Sequence, residues 1–210
     1  MALIIRLFSG TVTGDGTYSN GSTVTVVATP NENYAFVSWT LNEEVVSTEA
    51  EYSFVITEDV ELQANFIETY DVALSVNIED SGVITGDGTY NNGETVTLTA
   101  TANEGYIFVN WTEDGEEVTA ETEFTFVITE DRSFVANFIA IYDIVLSVNI
   151  EGSGEVTGAG TFTDGETVTV TATPNEGYTF VNWTEDGEVV STKTRTKIIV
   201  GQGQLNDIVY

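Results

Sequence analysis

A repeat of 72 residues runs through the chain and limits what it can fold into. Gly86-Asp-Gly-Thr-Tyr90 has counterparts at Gly14–Tyr18 and Gly158–Phe162, and the spacing is 72 each time, from 86 − 14 and 158 − 86. The tryptophans keep this spacing, at Trp39, Trp111 and Trp183. A fixed period marks a tandem array of small modules. Three copies of one module favour repeated structure or repeated binding over a single catalytic centre.

The period divides the 210 residues into three predicted domains, although length alone would give one or two. The predicted domains are residues 1–69, 70–141 and 142–210. The hydrophobic content of 41% is too high for a disordered chain. No apolar run approaches the roughly 18 residues of a membrane helix, so we expect no membrane insertion. Met1–Phe8 lacks the pattern of a signal peptide, so an export signal would lie outside this chain if the protein is exported.

The charge is strongly acidic, with 34 acidic and 5 basic residues and a net charge of −29. Nucleic-acid binding needs clustered cations, so this class of function is excluded, and an anionic membrane surface is disfavoured. We interpret the acidity as a solvated surface that keeps strand-rich modules apart, with weak Ca²⁺ binding or adaptation to high salt as alternatives. The chain has no cysteine and no histidine, which removes disulfides, the commonest general base and the commonest transition-metal ligands.

Alternating apolar residues predict β-strands throughout each repeat. In the middle repeat, Val72, Leu74, Val76 and Ile78 alternate with smaller or polar residues. The same period of two appears in three further segments: Val96–Ala100, Phe124–Ile128 and Phe134–Phe138. This alternation is typical of strands with one buried face. We predict six short strands in about 70 residues and therefore an all-β module.

Two local features predict details of the chain path. Asn92-Gly93 and its counterparts Asn20-Gly21 and Asp164-Gly165 predict type I′ hairpin turns, which need positive φ at both central residues. Phe108 and Trp111 are three residues apart, so a regular strand would place them on opposite faces. Either a bulge at Asn110 turns the tryptophan inward, which we favour, or both faces of the strand are covered.

A set of motifs resembles a known family. The middle repeat contains a Gly-Thr-Tyr segment, then Gly93-Glu-Thr-Val-Thr-Leu-Thr-Ala100, then Glu104-Gly-Tyr-x-Phe-x-x-Trp111, and finally Val135-Ala-Asn-Phe138. This set resembles the divergent B-repeat of the internalins and the Listeria-Bacteroides repeats, and it covers nearly the whole chain three times. The resemblance implies small extracellular β modules, β-grasp-like or small two-layer sandwiches, in bacterial surface proteins. It implies no chemistry that could be assigned to particular residues.

The two ends depart from the pattern. At the start, Ala2, Ile4 and Arg6 occupy the positions of Leu74, Val76 and Ile78, or the strand slips by one residue and buries Leu3, Ile5 and Leu7. At the end, four residues, Thr196, Ile198, Asn206 and Ile208, replace Phe124, Phe126, Phe134 and Ala136, and Gln202-Gly203 replaces Glu130-Asp131. The ending is either a natural polar cap or the product of a reading-frame change or cloning boundary, and we favour the second.

For each candidate binding motif, a purely structural role explains the residues better than ligand binding does. The recurring aromatic residues could bind carbohydrate if they were exposed. A small module needs its large side chains in its core, so we interpret them as core residues. They are Tyr106, Phe108, Trp111, Phe126, Phe138 and their counterparts. The acidic turns, Thr57-Glu-Asp59, Thr112–Gly115, Thr129-Glu-Asp131 and Thr184–Gly187, could offer oxygens to Ca²⁺ but fit ordinary turns. Asp15 and Asp87 become Ala159 in the third copy, which argues against a ligand. Of the three glycosylation sequons, Asn20, Asn110 and Asn182, the last two are interpreted as accidental. We predict no catalytic, cofactor-binding or metal-binding residues, and no enzyme activity.

The joints between repeats carry the functional expectation. Phe66–Val72 and Phe138–Ile144 leave five residues between neighbouring modules, none of them Gly, Pro or Ser, with Tyr70 and Tyr142 available to pack between repeats. Flexible linkers need such residues, so stiff joints and a rod of about 90 Å are expected. We expect a semi-rigid spacer or stalk of a bacterial surface protein, with neighbouring domains as partners. The alternatives are an adhesin that binds glycans or host proteins, and a Ca²⁺-stiffened array.

Overall fold

The computed structural model describes residues 1–6, 9–201 and 207–209, and side chains for 1–3 and 9–201. Every regular element in this part of the chain is a β-strand, which confirms the all-β class. No helix among the described residues is long and apolar enough to cross a membrane.

The strands recur with the period of the sequence. The first repeat contains β1 (Ala2–Arg6), β2 (Gly10–Thr13), β3 (Gly16–Thr17), β4 (Thr23–Pro30), β5 (Tyr34–Leu41), β6 (Glu44–Ser47), β7 (Glu51–Val55) and β8 (Val60–Val76). The middle repeat continues with β9 (Gly82–Thr85), β10 (Gly88–Asn91), β11 (Thr95–Ala102), β12 (Tyr106–Glu113), β13 (Glu116–Thr119), β14 (Glu123–Val127) and β15 (Arg132–Ser147). The third repeat contains β16 (Gly154–Thr157), β17 (Gly160–Thr163), β18 (Thr167–Pro174), β19 (Trp183–Glu185), β20 (Glu188–Ser191), β21 (Arg195–Ile199) and β22 (Asp207–Val209). The prediction of six strands per repeat was too low.

The first repeat consists of two sheets. One has the order β3-β1-β8-β5-β6, in which β1 and β8 are parallel and the other pairs are antiparallel. The other is the antiparallel sheet β2-β4-β7. A single core cluster joins Val24 and Val26 of the small sheet with Trp39 and Leu62 of the large one. The alternating residues therefore face a core between two layers, which is the predicted small two-layer arrangement.

The third repeat follows the same plan. Its large sheet has the order β17-β15-β22-β19-β20, and its small sheet is β16-β18-β21. The strand β21 pairs with β18, and Ile198 lies opposite Val168 in the core. Val200, the counterpart of Ile128, is also buried. The divergent ending therefore keeps the β-strand Arg195–Ile199, whose side chains in the core are smaller than the phenylalanines of the middle repeat. The predictions for Gln202-Gly203 and Asn206, and for the side chain of Ile208, lie outside what the structure describes.

By contact density, the chain divides into two compact units. One consists of Met1–Leu74, Gly86–Leu98 and Phe124–Phe134, and the other of Ser75–Thr85, Thr99–Glu123 and Val135–Tyr210. The first holds the joint between repeats one and two, and the second holds the next joint. Each joint therefore belongs to one compact unit and does not lie at a boundary between units.

The predicted type I′ turn at Asn92-Gly93 was wrong. Gly93 has φ of 84°, but Asn92 does not have positive φ, and the Glu94 amide donates to the Asn91 carbonyl at 2.9 Å. Positive φ at the third position only is the pattern of a type II turn. The reason is that β10 pairs with β8 and β11 pairs with β9, so this turn connects two sheets and closes no hairpin. The type I′ pattern occurs instead at Asp114-Gly115, with φ of 51° and 84°.

The favoured bulge is present in the first repeat, one residue from its predicted position. Phe36 pairs with Phe66 and Ser38 with Asn65, so Val37 is the extra residue. Val37 is the counterpart of Val109, whereas Asn110 corresponds to the paired Ser38. The extra residue brings both aromatics to one face, and the rings of Phe36 and Trp39 lie 5.7 Å apart.

The first strand is in a register that neither sequence alternative describes completely. Leu3 lies opposite Gly16, as Val72 lies opposite Gly88, and both Leu3 and Val72 are buried. Leu3 and Gly16 are thirteen residues apart in sequence, whereas Val72 and Gly88 are sixteen apart. The first repeat is therefore three residues shorter between these two paired strands. Ala2 is exposed and Leu3 is buried, as the slipped register predicted, while the side chains of Ile5 and Leu7 lie outside the described residues.

Candidate functional site

The joints are continuous β-strands. β8 runs without interruption from Val60 to Val76 and β15 from Arg132 to Ser147, so one strand ends a repeat and begins the next. The absence of Gly, Pro and Ser from both junctions explains this continuity, because nothing in either segment favours a turn. The prediction that these segments are not flexible linkers agrees with this geometry.

Backbone hydrogen bonds hold the first joint from both sides. The Thr69 amide donates to the Asn33 carbonyl of the preceding repeat at 2.8 Å. The Asn92 amide of the following repeat donates to the Glu68 carbonyl at 2.8 Å. In addition, β10 pairs antiparallel with β8, with Tyr90 opposite Tyr70. Both neighbouring repeats therefore bind the same short stretch of backbone.

The second joint repeats this arrangement. The Ile141 amide donates to the Gly105 carbonyl at 2.8 Å, and the Asp164 amide donates to the Ala140 carbonyl at 2.9 Å. β17 pairs with β15, with Phe162 opposite Tyr142. Because main-chain groups make these bonds, they survive the sequence differences between the two joints.

The side chains of the first joint form a small polar group. The Tyr70 hydroxyl donates to Glu68 Oε2 at 3.1 Å, and Asn92 Nδ2 lies 3.5 Å from the same oxygen. The hydrogen bond to the Glu68 carboxylate raises the pKa of Tyr70 above its ordinary value, and burial and neighbouring acidic groups act in the same direction. At the second joint Ala140 replaces Glu68, so this group is specific to the first.

Asp59 and Asp131, in two of the acidic turns, bind backbone amides. Asp59 Oδ1 accepts from the Ala2 amide at 2.7 Å, and Asp131 Oδ1 accepts from the Asp71 amide at 2.8 Å. Each carboxylate thus fixes a residue of a repeat's first strand, a role that sequence reasoning missed. No group of three or more acidic side chains in the described part of the chain is arranged to hold a metal ion.

The Gly-Asp-Gly segments are turns whose first glycine is required by packing. A Cβ atom on Gly86 would lie 2.4 Å from the Thr97 carbonyl oxygen, and the φ of Gly86 is 111°. The Tyr90 hydroxyl donates to the Gly86 carbonyl at 3.0 Å. Asp15, Asp87 and Ala159 are exposed at the variable position between the glycines. These residues form a structural turn, as the sequence interpretation favoured.

The recurring aromatic residues lie mainly in the core. Trp39, Trp111 and Trp183 are fully buried, and Phe138 is 2% exposed. Tyr106, Phe108 and Phe126 are half-buried, whereas Tyr178 is 44% exposed. Tyr178 therefore differs from its counterpart in the middle repeat. The amide of the sequon residue Asn110 is engaged, because it donates to Glu117 Oε2 and accepts from Asn137 Nδ2.

The comparisons with known proteins agree with the repeated geometry. The family model of the divergent InlB B-repeat domain matches three times, at residues 8–69, 72–142 and 144–205. Comparison with functionally characterised proteins gave no significant match. The matched family is a structural repeat of bacterial surface proteins. The chain belongs to the divergent InlB B-repeat family and contains three tandem copies of its domain.

Proposed function

We propose that this chain is a non-enzymatic, semi-rigid spacer in an extracellular bacterial surface protein, with neighbouring domains of that protein as its partners. The observation that carries the proposal is the continuous strand at each joint, bound by backbone hydrogen bonds from both flanking repeats. A joint of this kind resists bending because a bend would break main-chain bonds on both sides. Its occurrence at both junctions favours a function that depends on fixed repeat geometry.

Charge supports the same role. The net charge of −29 gives the chain strong self-repulsion, which disfavours association between neighbouring chains on a crowded surface. The family assignment supports surface location, and no part of the proposal requires a cofactor.

Distance measurement across the joints tests the proposal. Because the chain has no cysteine, introduced cysteines give unique labelling sites. Spin labels at E32C and D87C span the first joint, and labels at E104C and A159C, each 72 residues further, span the second. All four positions are exposed. Double electron–electron resonance should give one narrow distance distribution for each pair.

Insertion of Gly-Ser-Gly after Thr69 should broaden the first distribution and leave the second unchanged. The matched control is the same insertion in the exposed turn at Asp186-Gly187, which should change neither. Broad distributions in the unmodified chain would contradict the spacer proposal. Labelling of intact cells with an antibody against this chain would test the surface location.

A further inference from the structure

A patch of aromatic and polar side chains lies on one face of the first joint. Glu68 and Tyr70 are two residues apart in β8, so their side chains project from the same face of the strand. Tyr34 lies directly opposite Glu68 in β5, and Asn92 is placed beside Glu68 by its amide, which donates to the Glu68 carbonyl. We call these four residues the Glu68 patch. Its tyrosines are half-buried, whereas Glu68 and Asn92 are exposed.

The Glu68 carboxylate is only partly used within the chain. Its Oε2 atom accepts the Tyr70 hydroxyl at 3.1 Å and lies 3.5 Å from Nδ2 of Asn92. Its Oε1 atom accepts no hydrogen bond from the described residues, and no described cation lies within ion-pair distance of it. In the same part of the chain, neither Tyr34 nor Tyr70 pairs with another aromatic ring. One carboxylate oxygen and two tyrosine rings therefore remain available to a ligand.

The joint does not need this carboxylate for its own structure. At the second joint, Ala140 replaces Glu68 and Asp164 replaces Asn92. The amides of Ile141 and Asp164 nevertheless make the same two backbone bonds there. Strand pairing alone therefore does not explain why the first joint carries a glutamate between two tyrosines.

The surroundings of the patch favour a cation as its ligand. The chain has a net charge of −29, which repels anions. Near the patch, the charge of Asp131 adds to the raised pKa of Tyr70, whose largest cause is the hydrogen bond to Glu68. The faces of aromatic rings also attract cations. A guanidinium group suits both features, because it stacks on a ring and donates paired hydrogen bonds to a carboxylate, whereas an ammonium group lacks this planar fork.

From these contacts we infer that the Glu68 patch binds an arginine side chain in a basic segment of another protein. The guanidinium group donates to Oε1 of Glu68 and stacks on the tyrosine rings. The arginine belongs to another protein because this chain has only 5 basic residues, and one of its arginines, Arg132, already lies 5.0 Å from the rings of Phe126 and Phe134. The inference does not rest on the spacer role, since arginine binding and the stiffness of the joint are measured separately.

NMR titration of the full chain with a basic peptide tests this inference. Acetyl-Lys-Gly-Arg-Gly-Lys-amide should bind saturably with a Kd below about 1 mM in about 0.1 M NaCl, where a Debye length of about 10 Å suppresses non-specific attraction. The largest changes in chemical shift should occur at the rings of Tyr34 and Tyr70. The same peptide with lysine in place of arginine has equal charge and should bind at least about fivefold more weakly.

Variants of the chain separate the patch from the overall charge. Glu68→Gln keeps the size of the side chain at an exposed position, so this variant should fold, and it should weaken binding at least about tenfold. Glu104→Gln is the matched control, because it removes the same charge from another exposed position and should leave the affinity unchanged. Tyr70→Leu should weaken binding more than Tyr70→Phe, which keeps the ring.

Four results would overturn the inference. The first is absence of saturable binding up to about 10 mM peptide. The second is equal affinity of the Glu68→Gln variant, and the third is equal affinity of the lysine peptide, because neither is compatible with a guanidinium group on the Glu68 carboxylate. The fourth is self-association of the chain that Glu68→Gln abolishes, which would make a second copy the occupant.

Discussion

The ring of Phe66 lies so close to Gly10 that a Cβ atom on the glycine would be 2.5 Å from Cζ of the ring. The same relationship holds between Phe138 and Gly82, at 2.4 Å. Each pair joins the two sheets of its repeat, because the glycine belongs to the small sheet and the phenylalanine to the large one. The glycine is therefore a packing requirement of the core.

Replacing Gly10 or Gly82 with alanine should lower the free energy of unfolding by about 1–3 kcal/mol, since overpacking displaces the ring. Urea unfolding measures the loss, and hydrogen exchange assigns it to one repeat. Phe66→Leu should restore part of the loss in Gly10→Ala, and Phe138→Leu should restore part of the loss in Gly82→Ala. No recovery in either double variant would show that the ring is unimportant.

Tyr70 should titrate above its ordinary pKa, because its hydroxyl donates to the Glu68 carboxylate. A raised pKa favours the protonated phenol in the folded state. The associated stability is therefore complete below the unfolded-state pKa of about 10 and is lost as the pH rises through the folded-state pKa. Tyrosine-selective ¹³C NMR measures the titration, and Tyr70→Phe assigns the signal. Glu68→Gln should move the pKa of Tyr70 back toward its ordinary value, and no movement would contradict the assigned cause.

Calcium should not stabilise the chain beyond its effect as a salt. The carboxylates of Asp59 and Asp131 already accept backbone amides, and the described residues contain no cluster of acidic side chains suited to a metal ion. Thermal unfolding in CaCl₂ and in NaCl of equal ionic strength should give the same midpoint. A higher midpoint in CaCl₂ that Asp131→Asn removes would instead place a calcium site at this turn.

Added NaCl should raise the midpoint of thermal unfolding. Repulsion within a chain of net charge −29 opposes the compact state, and the Debye length falls from about 30 Å at 0.01 M salt to about 3 Å at 1 M. KCl should act equally, because screening is not specific for the cation. A midpoint that does not depend on salt would show that the acidic side chains lie too far apart to repel one another strongly.

The sequence predicts where the strands of this fold lie better than it predicts which strands pair with one another. Alternation predicted β11, and the size of its side chain predicted that Trp111 lies in the core, because neither prediction needs knowledge of a distant partner. The strand Gly88–Asn91 was missed because it pairs with the joint segment of β8, and no local signal in so short a strand reports this partner. The same cause led to the wrong turn at Asn92-Gly93, where Asn-Gly predicts a hairpin but the flanking strands enter different sheets.

The candidate site was predicted in part. The composition of Phe66–Val72 and Phe138–Ile144 indicated stiff joints, but the bonds that hold them come from Asn33, Asn92, Gly105 and Asp164, which lie in loops and turns distant in sequence.

The uninterrupted strands β8 and β15 also bear on how such arrays change in length over evolution. A recombination break inside either strand would have to preserve the pairing of two repeats at once. A break in an exposed turn, such as the one at Asn92-Gly93, leaves both strands intact and adds or removes one 72-residue period. Unequal crossing-over in the DNA that encodes these turns can therefore lengthen or shorten the protein in steps of one period. Each joint in the resulting protein then keeps its continuous strand.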